Sequence, residues 1–210
     1  MANSLPHTAR LLAASLRALI VLTLLTGVAY PLVVTGIAQT AFRTQANGSP
    51  LRSDGKVVGS SLIGQQHYGL AYFQPRPANG LGTNTVNTQY RLLLSGATNL
   101  AADNKVLIQQ VEAAKSRVVK VNSVPGYTVR PSQVPADAVT SSGSGLDPDI
   151  SPQYADLQIH RVAARNHLPV PEIRRLVAAH TEGRTLGFLG EPRVNVLELN
   201  VAVKELAAKS

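Results

Sequence analysis

The sequence predicts a single N-terminal transmembrane helix followed by an α+β extracytoplasmic domain. Three observations predict it. Residues 18–42 carry no charge, and residues 18–37 read ALIVLTLLTGVAYPLVVTGI. A helix rises ~1.5 Å per residue, so ~20 apolar residues cross the hydrocarbon core of a bilayer. Arg10 and Arg17 precede the stretch, no Asp or Glu occurs before Asp54, and short positive segments stay cytoplasmic while long domains cross largely regardless of charge. The remaining ~165 residues suit one domain and alternate hairpin, cap and turn signals. This gives a short cytoplasmic tail (1–17), a transmembrane anchor (18–42) and a soluble domain (43–210), periplasmic if the host is a bacterium.

The anchor shows no polar face at helical spacing, as a soluble core helix would. A cleaved secretory signal is the rival reading. Its apolar region is typically ~7–15 residues and ends in a small-x-small site. Here the run is longer, Pro31 sits in its middle, and Ala38-Gln39-Thr40-Ala41 does not give Ala-x-Ala. Thr23, Gly27 and Pro31 recur at i, i+4, i+8, small residues that let another helix approach. Such residues are also simply common in membrane helices.

Beyond a polar connector over residues 42–50, Asp54-Gly55 stands between Leu51-Arg52 and Val57-Val58. Asp-Gly is a strong tight-hairpin signal because Gly accepts positive φ. Residues 60–65 read as a further strand. Residues 74–100 are rich in Gly, Pro, Asn and Thr, with one short apolar run, Leu92-Leu93-Leu94. A loop this long is either functional or a surface excursion. Asp103 or Asn104 caps a helix to about Val119, with Val111, Ala114 and Val118 inward and Glu112, Lys115 and Arg117 solvated. Residues 121–133 read as extended, interrupted at Pro125-Gly126. Residues 141–150, SSGSGLDPDI, are turn-prone. Ser151 then caps a helix with Pro152 at its first position, burying Tyr154, Leu157 and Val162 and running to about Asn166. A second helix spans 171–181, stopped by Gly183. Asn195 with Glu198 three residues on resembles a capping arrangement, opening a helix with Val196, Leu199, Val203 and Leu206 as its stripe. Residues 194–203 also alternate as a strand would.

Cys is absent, so neither disulfides nor thiolate metal sites hold the fold. Trp is absent and aromatics make up 4%, so the core comes from Val, Leu, Ile and Ala. The net charge of +8 is spread thinly. Lys115/Arg117/Lys120 and Arg174/Arg175 lack the density and the stacking aromatics of a nucleic-acid interface.

Chemical motifs are weak. No Walker loop and no Gly-x-Ser-x-Gly elbow occurs. Ser53-Asp54-Gly55-Lys56 fits Ser-x-x-Lys, but its companion elements are absent and the Asp-Gly turn explains it. His7, His67, His160, His167 and His180 lack His-Glu-x-x-His spacing. Asp147 and Asp149 flank Pro148 without Ca²⁺-loop spacing, and read as charges complementing the start of the helix capped by Ser151. The Gly/Ser runs at 94–99 and 140–146 offer backbone N–H groups for an anion, or serve as turns. No metal site and no catalytic residue is expected.

Several blocks together resemble a known family. They are Gly59-Ser60-Ser61-Leu62-Ile63-Gly64-Gln65, Tyr72-Phe73 with Arg76-Pro77, residues 137–152, Gln158 with Arg161-Val162-Ala163, and residues 190–197 with Leu199-Asn200. Within these, Gly143, Ser144, Gly145, Asp147, Pro148, Gly190, Glu191, Pro192, Arg193 and Asn195 are the motif positions. Together with the anchor they resemble the KdpC family, the C subunits of bacterial Kdp-type potassium-transporting ATPases. Two runs depart from the family pattern: residues 95–101 read SGATNLA where SGGSNLG is usual, and Ser141 replaces an Ala.

The resemblance implies a non-catalytic accessory subunit of an inner-membrane pump. Its implied partners are a channel-like potassium-binding subunit, a P-type ATPase subunit, a small single-span subunit, and membrane lipid. It implies a catalytic chaperone that raises the ATPase subunit's affinity for ATP, with nucleotide contact through Ser95, Gly96 and Asn99. An outward-facing domain, however, meets no cytoplasmic ATP. That orientation routes any effect on ATP through conformational coupling, which requires differential contacts with two states of the pump. The rival class is a membrane-tethered periplasmic binding protein or enzyme unrelated to a pump.

Overall fold

A computed structural model describes residues 4–66, 68–78, 82–83 and 93–209. His67, Leu92 and much of the Gly/Pro/Asn-rich stretch lie outside the described residues. The chain divides into two compact units, residues 1–49 and 50–210.

The first unit is helical. α1 covers Ser4–Leu24 and α2 covers Tyr30–Ala41, joined by a π turn over Leu25–Ala29. A four-residue helix, α3 (Arg43–Ala46), comes next. The stretch from His7 to Ala41 is long and apolar enough to cross a membrane. Helix therefore begins well before residue 18. Ala, Leu and Arg in the first turns are strong helix formers, and Pro6 falls in the first turn, where a missing N–H costs little. Pro31 accounts for the π turn. It has no N–H for the Gly27 carbonyl four residues back, and its ring crowds that carbonyl. The ladder relaxes, and the Tyr30 N–H reaches the Leu25 carbonyl instead. A Cβ added at Gly27 would lie 3.9 Å from Thr23 Cγ2, so Thr23 and Gly27 adjoin on the helix surface.

The second unit opens with the hairpin expected from Asp54-Gly55. β1 (Pro50–Ser53) pairs antiparallel with β2 (Lys56–Ser60). Asp54 and Gly55 both hold positive φ, 52° and 76°, as a tight turn of this kind requires. Residues 61–65 do not continue as a strand; they form a turn that folds back on the domain. Two residues each of β3 (Gly82–Thr83) and β4 (Leu93–Leu94) pair antiparallel.

α4 spans Lys105–Asn122, with Asn104 Oδ1 accepting the Val106 N–H at 2.8 Å. It runs three residues past Val119 because Asn122 is buried and its amide donates back to the Val118 carbonyl. The chain then makes a bridge between Val124 and Tyr127 and two 3₁₀ turns, Pro131–Gln133 and Ala136–Ala138, rather than a continuous extended segment.

β5 (Asp149–Ile150) leads into α5 (Pro152–Asn166), capped by Ser151 Oγ on the Tyr154 N–H. The carboxylate that hydrogen-bonds this cap is Asp137. It accepts from both the N–H and the hydroxyl of Ser151, at 2.7 and 2.9 Å. α6 (Val170–Ala179) ends ahead of Gly183, because Thr181 already enters β6 (Thr181–Glu182). β7 (Arg193–Asn195) lies between β5 and β6 in an antiparallel three-stranded sheet. α7 (Val196–Ala207) begins directly after it, with Asn195 Oδ1 accepting the Glu198 N–H. The alternation of residues 194–203 thus resolves into a three-residue strand and then a helix.

α5 is the centre of the core. Tyr154, Ala155, Leu157, Ile159, Val162 and Ala163 are all buried, against Ile173 and Val177 of α6 and Val196, Leu199 and Val203 of α7. Burying a large apolar side chain of this kind contributes ~1.5–3 kcal/mol.

Candidate functional site

Three buried polar residues stand out in this apolar core: Gln158, Arg161 and Asn200, at 0%, 0% and 4% exposure. Gln158 and Arg161 come from α5 and Asn200 from α7. All three face residues 70–74, a stretch with no sheet partner of its own. The Asn200 amide pairs with Phe73 in both directions, accepting its N–H at 2.8 Å and donating to its carbonyl at 3.0 Å. Gln158 does the same for Gln74, at 2.7 and 3.1 Å. Each amide thereby reproduces the two bonds a neighbouring strand would supply. Asn166 adds a bond to the Ala71 carbonyl.

Arg161 completes this clasp. Its guanidinium donates to the carbonyls of Leu70 and Tyr72, to Asn122 Oδ1 at 2.8 Å and to Gln158 Oε1 at 2.7 Å. Among the described residues no carboxylate pairs with it, so the charge is solvated by neutral oxygens. Burial pulls its pKa down to about 10, which still leaves it a cation at neutral pH.

Beyond the clasp, Arg76 pairs with Asp147 at 3.0 Å and reaches the Ser141 carbonyl at 3.5 Å. The other end of the long excursion returns to the same run. Ser95 Oγ and the Gly96 N–H both donate to the Ser144 carbonyl, at 3.0 and 2.9 Å. Residues 141–147 therefore hold the chain on both sides of the excursion. The run is stiffened from within: the Gly145 N–H donates to Ser142 Oγ, the Leu146 N–H to Ser144 Oγ, and the Asp149 N–H to Asp147 Oδ1.

These bonds bear on the anion reading. The backbone donors of Gly96, Gly145 and Leu146 are already engaged, and a phosphate at Ser95-Gly96 would have to displace the Ser144 carbonyl. The arrangement does not fit a preformed phosphate cradle. Asn99 sits at a left-handed turn with φ of 52° and contributes no donor to that contact.

The other motif positions sort by what they touch. Arg193 pairs with Glu182 at 2.6 Å and Asp149 at 3.3 Å. Burial first, and then the Asp147 charge, push the Asp149 carboxyl up. Asn195 caps α7 and donates to the Ser61 carbonyl at 2.8 Å. The Pro148 carbonyl accepts the Val196 N–H. Gly145 and Gly190 hold positive φ, while Gly143 has open space around it. Glu191 pairs with Arg184, and Pro192 is exposed. The glycines of the first block work by close approach. A Cβ at Gly64 would lie within 2.3 Å of the Asp147 carbonyl oxygen, and one at Gly59 would meet Gln65 and Leu197.

Ser53 is buried; it pairs with Lys56 across the hairpin, and its hydroxyl accepts from Lys204 Nζ at 3.5 Å. Lys204 is held by Asp54 at 2.7 Å, which lowers the Asp54 pKa and raises that of the lysine. His160 stacks on Tyr127 at 3.8 Å, and His180 Nδ1 meets the Leu176 carbonyl. Among the described residues no three His, Asp or Glu side chains converge at metal-binding distance.

The KdpC family, described as K+-transporting ATPase, c chain, matches residues 12–205. A potassium-transporting ATPase KdpC subunit of Streptomyces avermitilis is 64% identical over 222 residues, covering 100% of both chains. Its counterpart in Streptomyces coelicolor is 63% identical over 99% of this chain and 98% of the relative. That of Methylobacterium nodulans is 47% identical over 90% and 94%. The match takes in the apolar N-terminal helix and the clasp alike, and the chain belongs to the KdpC family, the c chains of K+-transporting ATPases.

Proposed function

We propose that this chain is a non-catalytic accessory subunit that assembles or stabilises the pump from outside the cytoplasm. Its helix stays in the inner membrane, with residues 43–210 in the periplasm and the Thr23, Gly27, Pro31 face against a membrane-embedded partner. Its partners are the channel-like potassium-binding subunit, the P-type ATPase subunit and the small single-span subunit. It promotes ATP binding by the ATPase subunit through conformational coupling rather than by contacting the nucleotide. The observation that carries this reading is the use made of the motif side chains. Gln158, Arg161 and Asn200 hold backbone, and Arg76 and Asp147 hold each other. None is arranged as a nucleophile beside a base.

The test is to purify the assembly with and without this chain and measure potassium-stimulated ATP hydrolysis. The expected result is loss of assembly or a weakened apparent ATP affinity without the chain. Full assembly with unchanged ATP dependence would refute the reading. Turnover of a substrate by the isolated chain would instead favour a tethered enzyme.

A further inference from the structure

Between β6 and β7 the chain forms a finger whose tip is apolar and solvated. Leu186, Phe188 and Leu189 are 79%, 69% and 50% exposed. The finger is well braced. Thr185 and Leu189 exchange both backbone hydrogen bonds at 2.9 Å, and the Gly187 N–H donates to the Arg184 carbonyl. Arg184 pairs with Glu191 across the base, and Arg193 pairs with Glu182 beneath it. Leu186 holds φ at 55°, a conformation that bulky L residues rarely adopt. Gly187 and Gly190, at 83° and 76°, supply the remaining left-handed turns. Three large apolar side chains are thus held in water by a braced and partly strained backbone. None of the three contributes to the core.

We propose that this finger is a docking element that inserts Leu186, Phe188 and Leu189 into an apolar cleft on another subunit of the same potassium-transporting assembly. This deepens the accessory-subunit reading and rests on it. Two arguments select that occupant. The first is charge. Glu182, Arg184, Glu191 and Arg193 are all ion-paired at the base, so the finger carries no uncompensated cation for anionic lipid headgroups. A neutral tip with an aromatic anchor suits a desolvated protein pocket. The second is area. Three side chains fall well short of the ~800 Å² per partner of a stable free-standing interface. That is too little to hold a second copy of the chain from solution. It is enough when a membrane helix already keeps both partners together at high effective concentration.

The test uses the complete assembly in its native membrane, with p-benzoylphenylalanine in place of Phe188 and irradiation before denaturing electrophoresis. The expected result is an adduct with another pump subunit. In a parallel purification, the combined variant Leu186→Ser, Phe188→Ser, Leu189→Ser retains at least about tenfold less partner after washing. Its own melting temperature stays unchanged, because the tip is outside the core. An adduct with lipid, an adduct with a second copy of the chain, or no adduct in an assembly that co-purifies intact would each overturn the proposal and leave the accessory-subunit reading standing. A chain that never co-purifies with pump subunits would overturn both.

Discussion

Replacing Arg161 with Met tests the clasp directly. The side chain is fully buried, so the aliphatic stem can be replaced by a methionine of similar length. What is lost is the guanidinium and its bonds to Leu70, Tyr72, Asn122 and Gln158. Gln158 Oε1 keeps the Gln74 N–H, and the Tyr72 carbonyl keeps the Gln74 side-chain amide at 3.0 Å. Among the described residues, the Leu70 carbonyl and the buried Asn122 Oδ1 have no other donor and are left to find water or remain bare. Orphaning a buried polar group costs ~1–3 kcal/mol, so these two oxygens cost ~2–6 kcal/mol. Relief from the desolvation of a buried cation opposes this, which argues for the lower half of that range. In a domain of this size ~1 kcal/mol moves the melting temperature ~2–4 °C, so a fall of about 10 °C is expected. Thermal unfolding of the full chain in detergent measures it. Limited proteolysis should show cleavage near residues 66–78 appearing before global unfolding. A variant as stable as the parent, or more stable, with those residues still protected would refute the claim that the cation holds this segment.

Gly64→Ala should destabilise the domain by ~1–3 kcal/mol, because the new Cβ meets the fixed Asp147 carbonyl, whereas Gly143→Ala, with open space around it, should be nearly silent in the same denaturation experiment. Burial, aided by Arg174, lowers the His160 pKa below its ordinary 6.5. Its neutral form is therefore favoured in the fold, and stability present above pH 6.5 declines as pH falls through that value. His160→Gln should flatten the acid slope between about pH 7 and 5, and an unchanged slope would dismiss this histidine as its source. Gly27→Leu should weaken assembly with pump partners more than Leu22→Ala does, since Gly27 and Thr23 adjoin on the small-residue face. Equal retention of partners by the two variants would remove that face from the proposed packing.

Local signals carried most of the element boundaries. Asp54-Gly55, Asn104, Ser151-Pro152 and Asn195 each act within a few residues, and each places a turn or cap where the sequence implies. The clasp was not legible in the same way. Its bonds to residues 70–74 join positions 84 to 127 apart, and a single Gln or Asn says nothing about a partner that distant. A signal did exist. Gln158 and Arg161 lie at i+4 and i+7 from buried Tyr154, and Asn200 lies at i+4 from buried Val196, so polar side chains occupy apolar-stripe positions. A polar residue on such a stripe must be paired, and a segment without a sheet offers the backbone to pair with. The ion pairs of Asp147 and Asp149 were hidden for a related reason. Arg76 and Arg193, distant in sequence, claim those carboxylates, and Asp137 hydrogen-bonds Ser151.

The absence of native cysteine makes the orientation directly measurable. Lys209→Cys in the assembled pump would carry the only thiol in the chain. A membrane-impermeant maleimide should label it in intact spheroplasts, with the labelled chain retaining its N-terminal helix. Labelling confined to inverted vesicles, or a labelled chain trimmed of that helix, would contradict a helix-anchored subunit acting from outside the cytoplasm.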